Sequence, residues 1–110
     1  MSNQENNKMI AEFMGLAPNE CGVYQTKRGP YHLENLSYHI SWDWLMPVVE
    51  KIEEHGYDFI ATKRRATRTY DANFMDEVNN YVVYVEDCKD RQEATYKAVV
   101  EFINQYNKNQ

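Results

Sequence analysis

The sequence predicts an α+β domain: a short, mostly antiparallel sheet packed by two longer helices over about residues 42 to 55 and 91 to 106, with a short helix over about 8 to 14. Three observations carry this. Apolar residues in the two longer segments recur at i, i+3, i+4 and i+7, the period of a helix with one buried face. Between them lie short runs rich in Val, Ile, Tyr and Phe, typical of half-buried strands. Gly15, Gly29 and Gly56 punctuate these segments. At 110 residues the chain has the size of one domain, residues 1 to 110, with one core. Apolar residues make up 43% and charged residues 26%, a composition that excludes disordered and collagen-like classes.

In chain order, residues 1 to 7 carry nothing apolar enough to dock and are expected as a frayed tail, as are residues 107 to 110. Met9, Ile10, Phe13 and Met14 make one helical face, Gly15 is placed to end that helix and Pro18 to prevent its continuation. Residues 17 to 40 pattern poorly. A hairpin is expected with Val23 to Thr26 going out, Lys27, Arg28, Gly29 and Pro30 turning, and Tyr31 to Leu33 returning; the alternative is a long irregular loop.

The second helix starts from Ser41 or Asp43 as N-cap, buries Leu45, Val48, Val49 and Ile52, and ends at Gly56. Pro47 cannot donate a backbone hydrogen bond to residue 43, so a loose or bent first turn is expected. Residues 57 to 62 then alternate as a strand, Lys63 to Arg65 connect, Ala66 to Tyr70 form a second strand, and Asp71 to Asn80 form a loop closed by Asn79 and Asn80. Residues 81 to 85, apolar on both faces, read as an inner strand. The last helix opens on Asp90 with Glu93 as a capping box. It turns Ala94, Ala98, Val99, Phe102, Ile103 and Tyr106 to the sheet.

The net charge of −5 argues against a general nucleic-acid coat, which needs a basic field. Cys21 and Cys88 lack any metal-ligand or redox spacing and read as free thiols. The opening MSNQENNK has no apolar leader core and no apolar run reaches membrane-spanning length, so a cytoplasmic location without a membrane partner is expected.

Chemistry-bearing patterns are sparse. The densest is KRRATR, residues 63 to 68. Lys63, Arg64, Arg65 and Arg68, with Arg68 and Tyr70 on one strand face, offer a surface for phosphates and bases or for an acidic partner. The plainer reading is that these cations guard a sheet edge and are balanced by the acidic second helix. Trp42 and Trp44, two apart, cannot both face the core, so one is expected at a surface where tryptophan favours binding. His32 and His39 lie seven apart, outside zinc-ligand spacing, and no glycine-rich phosphate loop exists. Cys88 with a distant histidine is too unspecific to mark a nucleophile. No catalytic residue, metal or cofactor is expected. The candidate interaction surface is Arg64, Arg65, Arg68, Tyr70, Trp42 and Trp44.

The strings IAEFMG at residues 10 to 15, SWDWLMPVVEKIE at 41 to 53 and EATYKAVVEFINQYN at 93 to 107 resemble small uncharacterised phage and prophage proteins of Bacteroidetes-type bacteria. More distantly, they are similar to the phage ABA sandwich domain family. The resemblance implies a layered α/β/α sandwich around a mostly antiparallel sheet and implies no catalytic residues. The expected function is that of a non-enzymatic accessory or interaction protein of phage or mobile-element origin, with a protein partner or a homodimer. The alternative is a nucleic-acid-associated protein using the 63 to 68 strand.

Overall fold

A computed structural model describes residues 3–78 and 80–108. It is an α+β fold: α1 (Asn3–Phe13), a hairpin of β1 (Val23–Thr26) and β2 (Gly29–His32), a 3-10 turn (Leu33–Asn35), α2 (Trp42–Glu54), β3 (Asp58–Arg64), β4 (Thr69–Met75), β5 (Tyr81–Cys88) and α3 (Arg91–Lys108). Both sheets are antiparallel; the larger has the order β3-β4-β5.

The helices end where the chain chemistry directs. Gly15 takes a positive φ of 82°, which lets the Gly15 and Leu16 amides donate back to the Glu12 and Ala11 carbonyls at 3.0 and 2.9 Å, a Schellman closure. The α1 carboxyl end also receives a cation: Lys51 Nζ donates to the Phe13 carbonyl at 2.6 Å, where the helix dipole favours positive charge. Asp90 caps α3 by accepting the Glu93 amide at 2.7 Å. The reciprocal half of the expected box is replaced by a Glu93–Lys97 ion pair at 3.0 Å.

Pro47 lies inside α2, and the Asp43 carbonyl that it cannot satisfy is met from outside the helix. Arg28 Nη2 donates to it at 3.1 Å, offsetting the cost of an unpaired backbone acceptor. Ser41 is the N-cap residue by backbone conformation but makes no side-chain capping bond.

One core unites all three helices with one face of the three-stranded sheet. Ile10, Leu45, Val48, Val49, Ile52, Phe74, Val99 and Ile103 are fully buried in it. Phe59, Phe74 and Val83 pair across the strands on this face, and Phe102 of α3 packs on Phe74 with ring centroids 5.6 Å apart. On the opposite face Ile60, Asn73 and Tyr84 pair. Ile60 is 38% and Tyr84 48% exposed, and among the described residues that face carries no helix. The sheet therefore has its helical layer on one side.

Several expected boundaries are corrected. Residues 3 to 7 are helical rather than a tail, and Asn7 is buried; residues 1 and 2 lie outside the described residues. At the other end α3 continues through Asn107 and Lys108, and the rest of the expected tail also lies outside them. The 17 to 40 segment holds the expected hairpin, but Gly29 and Pro30 belong to its return strand and Lys27 with Arg28 makes the turn. Lys63 and Arg64 end β3 rather than connecting strands, residues 65 to 68 are the turn, and the expected loop from 71 onward is β4 to Met75. That turn has Arg68 at φ 57°. Asn79 of the expected Asn79–Asn80 turn lies outside the described residues; Asp76 Oδ1 closes this turn by accepting the Val78 and Asn80 amides at 3.0 and 2.9 Å. Finally, β5 is an edge strand and β4 the inner one. Val83 is buried, but Tyr81 and Tyr84 stand on the bare side, so the apolar run reflects an uncovered face rather than double burial.

Candidate functional site

The predicted surface residues are not brought together, and two separate places hold most of their contacts. The first is the end of the bare sheet face. Arg64 is held by Asp71 at 2.8 Å, Glu86 at 2.7 Å and Asp87 at 3.7 Å, and it donates to the Tyr84 hydroxyl at 3.2 Å. These partners raise the Arg64 pKa, the Tyr84 bond first and then Asp71. Asp71 is buried, and its second oxygen accepts the Asp87 amide at 3.2 Å. Asp87 stands at φ 62°, where β5 carries an extra residue against β4; such a bulge re-aims the strand end.

Three carboxylates around one guanidinium make this spot acidic. The balancing charge therefore comes from β4 and β5 and not, as the sequence suggests, from α2. Tyr70 faces the other side, between Lys63 and Arg91, each 5.6 Å from its ring. Arg65 and Arg68 are exposed in the turn, so Arg68 shares no strand face with Tyr70. The cations and aromatics of this region do not converge into one basic platform.

The second place is a groove of ≈ 420 Å³ between the β1–β2 hairpin, the end of α1 and the start of α2. Trp44 sits at its centre, edge-on to Tyr31 at 5.1 Å and Tyr38 at 5.3 Å, with the Arg28 guanidinium 5.9 Å above its ring. Met14, Leu16 and Pro47 complete the apolar lining, and Lys27, Arg28 and Asp43 bring charge. Trp42, by contrast, is 37% exposed and lines no part of it. Of the two tryptophans, Trp44 packs and Trp42 is the surface residue.

A buried polar junction ties α1 to α3 and to the segment before α2. Asn7 Nδ2 donates to the Leu36 carbonyl and to His39 Nδ1, each at 3.0 Å, and Asn7 Oδ1 accepts the Tyr96 hydroxyl at 2.9 Å. The Leu36 carbonyl fixes which way the Asn7 amide points, since only its nitrogen can donate there. His39 Nδ1 must then be the acceptor.

Burial pushes the phenols of Tyr38 and Tyr96 up to about 12 and raises that of Tyr24. An unfolded phenol ionises near 10, so above that pH the native chain retains protons that the unfolded chain has lost. The contribution of these phenols to stability is therefore flat below pH 10 and turns unfavourable as pH rises toward about 12. Phenolate absorbance should titrate in two phases, with these tyrosines ionising only as the far-UV dichroism collapses. A single early phase with the fold intact would contradict their burial.

Burial raises the Cys88 thiol pKa, which disfavours the nucleophilic thiolate; both cysteines are free, Cys21 exposed and Cys88 buried. Among the described residues no group of three or more His, Cys, Asp and Glu is gathered to hold a metal ion, and no helix is long and apolar enough to cross a membrane. No family model matches the chain, and neither a curated protein nor a solved structure is significantly similar to it.

Proposed function

We propose that this chain is a non-enzymatic interaction protein of phage or mobile-element origin, and that it associates through the β5 edge of its sheet, first of all with a second copy of itself. The observation that carries the reading is an unguarded edge. Residues 81–85 of β5 contain no charge and no proline, the devices that keep edge strands apart, and they border a sheet face with Ile60, Tyr81 and Tyr84 exposed. β3, the other edge, carries Asp58, Lys63 and Arg64, whereas on β5 the charges, Glu86 and Asp87, stand beyond this run at its bulged end.

Self-pairing has one natural register. The unbroken ladder of β5 against β4 spans Val83, Tyr84 and Val85, with irregularities on both sides. A twofold axis through Tyr84, normal to the sheet, sets Tyr84 against its copy on the bare face and Val83 against the copy's Val85 on the helical face. Such aromatic and β-branched cross-strand pairs contribute roughly 0.2–1 kcal/mol each, which suits a modest, concentration-dependent dimer. A nucleic-acid role for residues 63 to 68 draws less support, because Arg64 is already surrounded by carboxylates.

Light scattering from micromolar to near-millimolar protein should show the mass rising from 13.1 kDa toward twice that value. Tyr84→Lys sets like charges opposite each other across the axis and should hold the chain monomeric and folded at low concentration, with a somewhat lower melting temperature because the Arg64 bond to the Tyr84 hydroxyl is lost. A monomer at every concentration, or a dimer that survives Tyr84→Lys, overturns the reading.

A further inference from the structure

We propose that the groove around Trp44 is a binding site for a small monocarboxylate with an apolar body. It is independent of the β5 edge, and its volume of ≈ 420 Å³ falls within the range of roughly 300–1,000 Å³ common to small-molecule sites. Its lining has the division of labour such sites use: a mainly apolar wall and a few placed polar groups. Met14, Leu16, Tyr38, Trp44 and Pro47 form the wall.

The sign of the charge on the ligand follows from the rim. Lys27 and Arg28 face one carboxylate, Asp43, so the rim is cationic on a chain whose net charge is −5. Arg28 is also held in place before any ligand arrives. One Nη2 hydrogen is fixed on the Asp43 carbonyl at 3.1 Å, and the guanidinium lies 5.9 Å from the Trp44 ring. That leaves most of its N–H donors for a ligand, in the planar fork that matches a carboxylate. A bare inorganic anion would leave the apolar wall unused, and a neutral hydrocarbon would leave the cations unpaired. An apolar acid satisfies both.

The test compares 4-phenylbutyrate with 4-phenylbutanol, which keeps the apolar body and lacks the carboxylate. The chain has two tryptophans, so Trp42→Phe leaves Trp44 as the only indole reporter; Trp42 is 37% exposed, and its replacement spares the core. The acid should change Trp44 emission saturably, and the alcohol should bind about tenfold more weakly or worse, the usual worth of a charge-assisted hydrogen bond. In Lys27→Gln/Arg28→Gln the two ligands should bind alike. Because Arg28 also supports α2, the acid-to-alcohol ratio is read within each variant, where loss of folded protein affects both ligands equally. Lys27→Gln alone, which leaves the Arg28 bond in place, should lower the ratio. Absence of a saturable change, equal affinity for acid and alcohol in the parent, or a preference that persists without Lys27 and Arg28 overturns the proposal.

Discussion

Val49→Asp should leave the chain largely unfolded at room temperature. Val49 has no exposed surface and stands among Leu45, Val48 and Ile52, which have none either. Removing the valine forfeits about 1.5–3 kcal/mol of apolar burial. The aspartate must then either be buried without a cationic partner, at a cost of several kcal/mol, or pull α2 off the core. Those two losses together approach the whole stability of a small domain, about 5–15 kcal/mol. Val49→Ala, which only opens a small cavity, should melt cooperatively at a lower temperature. Glu50→Lys, one position along on the exposed face, should stay within about 0.5 kcal/mol of the parent. A melting temperature for Val49→Asp near that of the parent would mean that this face of α2 is not in the core.

The helical half of the fold was legible because its signal is local. Leu45, Val48, Val49 and Ile52 declare the buried face of α2 by spacing alone, and the same holds for Ala98, Val99, Phe102 and Ile103 in α3. The strand β4 is legible only at its start, Thr69 and Tyr70, because beyond them its sequence TYDANFM places Asp71 and Asn73 where a strand reader expects apolar or β-branched residues. Asp71 is tolerable there only through tertiary neighbours, Arg64 and the bulge amide of Asp87, and Asn73 is enclosed between its strand partners Ile60 and Tyr84 with its Oδ1 unpaired. Neither relation has a local signature, so the segment reads as a loop.

The candidate sites divide in the same way. That one of Trp42 and Trp44 must be at the surface follows from helical geometry, and the structure assigns Trp42 to that position. The groove itself was hidden, since Arg28 and Tyr31 reach Trp44 only once the hairpin has folded back. One hint was available: Pro47 announces an unsatisfied carbonyl at residue 43, and a nearby side-chain donor is the ordinary remedy. The KRRATR string misled for the opposite reason. Charge density along the sequence is not charge density in space, and Arg64 meets carboxylates from 7 to about 23 residues further along the chain.

The start of α1 turns on a single polar residue, and this gives the second large expected effect. Asn7, Ile10, Ala11 and Met14 are spaced as one helical stripe, but counting Asn7 as a surface residue shortens that stripe by a turn and turns the first residues into a tail. Asn7→Ala should cost about 3 kcal/mol in urea denaturation. The substitution strands the Leu36 carbonyl and leaves the Tyr96 hydroxyl only its long 3.4 Å bond to the Asn3 carbonyl, in surroundings where Leu36 is 1% and Tyr96 7% exposed, and each unpaired buried group costs about 1–3 kcal/mol. Tyr96→Phe removes the hydroxyl that donates to Asn7 Oδ1 and to the Asn3 carbonyl and should cost about 1–2 kcal/mol. Because both substitutions act on the same bond, Asn7→Ala combined with Tyr96→Phe should cost less than the two single losses added together, by about 1 kcal/mol or more. Strict additivity would mean that Asn7 and Tyr96 do not meet, and α1 would then lose the contact that seats its first turns. Amide exchange should register the same event. In Asn7→Ala the amides of the first two turns of α1 should lose protection while those of α2 and α3 keep theirs, because Asn7 tethers an otherwise polar helix start to a core that the remaining apolar residues still hold together.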